Sequence, residues 1–132
     1  MPITADVLAY NSKQSADDQV ICDWLAQTIE VALPEAEGKV WHGHPVWFID
    51  KNPVVGYHRQ KDSVRILFWS GQSFGDDSLK AIGSFKAAGL AIESVDAFDA
   101  RAFAEQLQKC RTIQWDYASL PKKKALEKLT DF

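Results

Sequence analysis

The sequence predicts an α+β domain: a mainly antiparallel five- or six-stranded sheet with a central meander, covered by two long helices. Three observations carry this. Residues 16–33 repeat apolar side chains at helical spacing. Residues 38–70 break into short β-rich runs, joined by connections too short for crossover helices, so neighbouring strands must run antiparallel. A second amphipathic stripe follows Asp99. The chain has 132 residues, enough to bury one core without disulfides, and a single domain over 1–132 is expected, its body at about 16–120.

The first helix starts at Ser15-Ala16-Asp17-Asp18, an acidic variant of the capping box. Ile21, Trp24, Leu25, Thr28, Ile29 and Ala32 form its inner stripe, and Pro34 ends it. Asp17, Asp18, Asp23, Gln27 and Glu30 form the outer, solvated face. The strands are then expected at 39–42, 46–49, 54–59 and 64–69, punctuated by Gly43, Pro45, Asp50-Lys51-Asn52-Pro53 and Gln60-Lys61-Asp62. Alternation puts Val64, Ile66 and Phe68 on one face and Arg65, Leu67 and Trp69 on the other. The second face is therefore aromatic, and it is expected to be covered or to line a cavity.

After a Gly-Gln-Ser-Phe-Gly loop, Asp76 or Asp77 would cap a short helix over 78–88, closed by Gly89. A fifth strand follows at 90–95. Asp99 is then the N-cap of the second long helix, whose stripe is Phe103, Gln106/Leu107, Cys110, Ile113 and Tyr117. Pro121 starts a last short helix over 122–129. Its Lys122-Lys123-Lys124 is a solvated start, too short to argue for nucleic acid or membrane.

Hydrophobic residues are 46% and charged residues 25%, which excludes a disordered or fibrous chain. The net charge of -3 is spread along the chain, so the basic footprint of a nucleic-acid binder is missing. No apolar run is long enough to span a bilayer and the N-terminus lacks the pattern of a signal peptide, so a cytoplasmic protein with no membrane partner is expected. Cys22 and Cys110 have no second ligand at metal spacing and are expected as reduced, buried thiols.

Four pieces stand in order along the chain: Leu33-Pro34-Glu35-Ala36-Glu37; Val40-Trp41-His42-Gly43-His44-Pro45-Val46-Trp47-Phe48; Asn52-Pro53-Val54-Val55-Gly56-Tyr57; and Leu67-Phe68-Trp69-Ser70-Gly71. In this order and spacing the chain resembles the YdhG-like family over residues 16–120. The resemblance implies an antiparallel sheet flanked by helices, similar in outline to frataxin. It also implies a family largely of unknown function, some of whose members are described as frataxin-like intracellular iron chaperones. Where that family carries an aromatic residue before the Gly and a Met after it, this chain has His42 and His44.

Four constellations are candidates for chemistry. Gly71-Gln72-Ser73-Phe74-Gly75 matches the nucleophile elbow, but His42, His44 and His58 all precede Ser73 and the sheet reads as antiparallel, so a plain turn is expected. His42 and His44 would share a face if the strand ran through Gly43, and His58 could join them around Zn or Fe(II) or act as acid or base; packing histidines are the plainer reading. Trp41, Trp47 and Tyr57, with Arg59 and Arg65, would make either a pocket for a small anionic ligand between sheet and helix or simply the core. Asp17, Asp18 and Glu30 form an acidic edge where, by the frataxin likeness, iron would be held weakly through oxygen; a solvated helix face explains it equally. The expectation is a non-enzymatic binding or accessory protein with no certain cofactor, iron being the one the resemblance suggests. Cover for an edge strand or the aromatic face would come from a homodimer.

Overall fold

The computed structural model describes residues 3–61, 63–83, 85–96, 98–118 and 128–129. Among them are three helices, α1 (Ala5–Ser12), α2 (Ala16–Ala32) and α3 (Ala100–Lys109). Six strands form one sheet: β1 (Glu37–Trp41), β2 (His44–Ile49), β3 (Asn52–Arg59), β4 (Val64–Phe68), β5 (Lys80–Ala81) and β6 (Ala88–Ile92). Their order is β1-β2-β3-β4-β6-β5, every pair antiparallel. The α+β class and the meander are as the sequence predicts.

Local chemistry explains the boundaries. The Ser15 side chain accepts the Asp18 N–H at the start of α2, and Asp99 accepts from Ala102 at the start of α3. Two tight hairpins build the meander. At His42-Gly43 both residues take positive φ, 52° and 85°, the two-residue turn whose twist matches the strands it joins; Asp50 and Lys51 do the same at 49° and 69°.

Two expectations need correction. The covering layer is not two long helices: α1 is an additional helix, and α3 has only ten residues. The Asp6 carboxylate holds α1 to the edge of the sheet, accepting the N–H groups of Val7 and, at 2.7 Å, Val40. The helix expected over 78–88 is instead β5 and a loop returning into β6. Asp76 accepts both the N–H and the hydroxyl of Ser78, closing a side-chain turn, and Gly83 takes a φ of 72° that no helix continues through. Residues 122–127 of the last expected helix lie outside the described residues. Lys128, at its end, makes an isolated antiparallel bridge with Trp115.

The helices pack on one face of the sheet. There Trp47, Tyr57 and Phe68 meet Leu25, Ile29 and Phe103 in a solid core. Its aromatic polar ends are engaged: Trp47 Nε1 donates to Glu30 at 3.0 Å, and Tyr57 OH donates to the buried Asn11, which in turn donates to Asp23, while Gln106 Oε1 on α3 is buried without a partner. Cys22 and Cys110 are free and buried in this layer as expected, and burial pushes each thiol up to about 12.

Candidate functional site

The other face of the sheet has no helix on it among the described residues. Register fixes which side chains it carries, because paired residues of antiparallel strands share a face. Trp41 pairs with His44, and His58 with Arg65, which pairs with Ala91; the next row runs Lys39, Val46, Gly56, Leu67, Gly89, Lys80. Expected to be covered or to line a cavity, this face has no covering helix among the described residues, and part of it lines a cleft. Trp41, Leu67 and Trp69 on it are half-buried, while Val46 and Phe48 are sheltered beneath their aromatic neighbours.

Trp41 and Trp69 lean together with ring centres 6.3 Å apart, and Trp41 meets Phe48 edge-on at 5.4 Å. Trp69 lies across Gly56: a methyl group there would stand 3.3 Å from the indole and 2.6 Å from the Pro45 carbonyl oxygen. The ring fills the space the glycine leaves.

Along β4 from Trp69 come Leu67 and then Arg65. An Arg65 N–H donates to His58 Nε2 at 3.0 Å, and the His44 ring centre lies 5.4 Å from that of His58. An imidazole nitrogen that accepts carries no proton, so His58 is neutral with its hydrogen on Nδ1. Burial lowers the proton affinity of both imidazoles; for His58 the His44 ring and Arg65 add to this, and for His44 a backbone contact at Pro45 opposes it. Arg65 is thus a guanidinium supported by a neutral ring, with no carboxylate paired to it among the described residues. Its Nε is shut off from solvent without a hydrogen-bond partner, as is His44 Nδ1.

Beside Arg65 a cleft of about 300 Å³ opens over β6, lined by Lys80, Ile82, Gly89 and Ala91. The charged residues on the strands of this face are Lys39, Arg65 and Lys80 against Glu37, so it is locally cationic on an acidic protein.

The sequence-predicted sets are divided by the fold. The expected aromatic pocket does not form between sheet and helix, because Trp47 and Tyr57 are core residues whereas Trp41 and Arg65 are on the open face. Arg59 stands at the end of β3, paired with Asp18 at 2.7 Å. His42 and His44 do not share a face: His42 is exposed in the hairpin turn, its ring centre 4.1 Å from that of Trp41 and tilted to it by 55°, and the strand does not run through Gly43. Pro45, expected to break the strand, lies within β2 opposite Val40. Asp17 is exposed, Asp18 is engaged by Arg59, and Glu30 is turned into the core on Trp47. Among the described residues no group of three His, Cys, Asp or Glu could hold a metal ion. Among the described residues no carboxylate stands beside His44 or His58, and the Ser73 hydroxyl accepts the Trp115 indole N–H at 2.9 Å.

Sequence reasoning missed Lys80, which it placed in a helix; Gly83, five residues before Ala88 in that segment, is the signal that a turn lies there. Leu67 and Trp69 were placed on the correct face by alternation alone. No family model matches the chain, and no curated protein and no solved structure matches it. Among the described residues no helix is long and apolar enough to cross a membrane.

Proposed function

We propose that the protein is a non-enzymatic binding protein that takes a small organic anion on the uncovered face of its sheet. The observation that carries this reading is Arg65. Its charge is balanced by no carboxylate among the described residues, one of its N–H groups rests on the neutral His58, and its Nε–H is withdrawn from water with nothing to donate to. A buried donor left without a partner costs about 1–3 kcal/mol, and an arriving carboxylate or phosphate oxygen recovers that.

The rest of the ligand would lie along β4, over Leu67 and toward the Trp69–Trp41 pair. An apolar or aromatic body suits that path. Acid–base turnover is disfavoured because, among the described residues, no carboxylate orients either of the two facing imidazoles. Iron handling, which the YdhG-like resemblance implies, would have to use Asp17 and Asp18 without Glu30, which is engaged in the core. The anion reading has a preformed donor behind it and is preferred for that reason.

Titration of the protein with benzoate, followed by Trp fluorescence and calorimetry, tests this. Saturable binding that Arg65→Met weakens, with the melting temperature of the variant unchanged, is the expected result. If the uncharged benzamide binds as well as benzoate, the anion reading is wrong.

A further inference from the structure

The cleft next to Arg65 narrows the ligand's chemistry further than the guanidinium alone does, provided that the open face is the anion site proposed above. Lys80 on β5 and Arg65 on β4 stand on either side of β6. Lys80 pairs with Gly89 and Arg65 with Ala91, so the two cations are two strands apart and offset by two residues. Strand spacing and rise put their Cα atoms about 12 Å apart, close enough for two long side chains to converge on one small molecule between them. The floor between them is Gly89 and Ala91, and Ile82 forms a wall.

That floor is held open by the backbone. A Cβ on Gly89 would run into the Ile66 carbonyl oxygen, with the Ile82 side chain 3.0 Å away, so a larger residue cannot fill the gap without moving the sheet. The gap therefore stays as a concavity of about 300 Å³ with a cation on each side and an apolar base. That volume is at the lower end of the range for small-molecule sites.

We propose that the ligand is a dianion with two separated anionic groups on a short apolar spine, one group on Arg65 and the other on Lys80. Arg65 supplies the fixed end, because His58 orients it and half of it is buried. Lys80 is exposed and supplies the adaptable end, so its contribution is modest and sensitive to salt.

The test compares benzoate with isophthalate, which adds a second carboxylate to the same ring, on wild type, Lys80→Met and Arg65→Met, with thermal melting of each variant as the folding control. At low salt isophthalate is expected to bind roughly three- to fivefold more tightly than benzoate. That preference should vanish in Lys80→Met, whereas Arg65→Met weakens the binding of both acids. Equal affinities for the two acids in wild type, or a preference that survives Lys80→Met, would overturn the dianion assignment and leave the anion site standing. Failure of both acids to bind wild type would remove both.

Discussion

Trp47 and Trp69 each lay an indole over a glycine of the neighbouring strand, Trp47 over Gly38 and Trp69 over Gly56, but on opposite faces of the sheet. On the helix-covered face Gln106 Oε1 of α3 is buried without a partner, but the polar ends of the aromatic side chains are satisfied. Trp47 donates to Glu30 and Tyr57 to Asn11, and Asn11 donates onward to Asp23. On the uncovered face the side chains are of similar type, yet Arg65 Nε and His44 Nδ1 are sheltered without a partner. Buried polar groups are almost always paired where only folding is at stake. What separates the two faces is access: Arg65 lines a cleft that a ligand can enter, whereas Gln106 is 1% exposed.

Substitutions on the two faces should separate stability from binding. The largest effect is expected from Trp47→Ala, which empties the centre of the core and leaves Glu30 buried without its donor; about 3–5 kcal/mol should be lost in denaturant unfolding. Asn11→Ala should cost about 1–3 kcal/mol, because the hydroxyl of Tyr57, a residue 1% exposed, loses its acceptor. An Asn11→Ala variant as stable as wild type would mean that the covered face does not depend on this network. Trp69→Leu, on the open face, should change stability by less than about 1.5 kcal/mol while weakening benzoate binding. A stability loss as large as that of Trp47→Ala would erase the distinction between the faces.

The smallest effect is in pH dependence. His44 and His58 hold protons less tightly in the folded protein than an ordinary imidazole does. The unfolded chain therefore takes up more protons as the pH falls below about 6.5, and stability that is complete above that pH should decline on acidification. Melting temperatures between pH 7 and 5 should show the decline, and the double variant His44→Gln, His58→Gln should flatten it. A wild-type profile no steeper than that of the double variant would show that these imidazoles are not held neutral.

What the sequence made legible was local. Ser15, Pro34 and Asp99 mark helix ends by their own chemistry, and the turns at His42-Gly43 and Asp50-Lys51 make the meander readable. Residues 78–88 misled because the Asp76 or Asp77 cap and the closing Gly89 outweighed Gly83. α1 went unread because it is short and its anchor, Asp6 to Val40, spans 34 residues. The site was divided wrongly for a related reason. Trp41, Trp47, Tyr57 and Arg65 lie on adjacent strands, but which of them share a face depends on register, with a shift at Trp47/Phe48 that no local pattern announces. Glu30 looked solvated until Trp47, 17 residues on, was placed against it.

The central claim is that the uncovered face is where a ligand sits, and the five indole N–H signals of the protein report on both faces at once. Titration of ¹⁵N-labelled protein with benzoate should move the Trp69 and Trp41 signals saturably and leave those of Trp24 and Trp47 in place. No movement at Trp69, or movement confined to Trp24 and Trp47, would contradict the account.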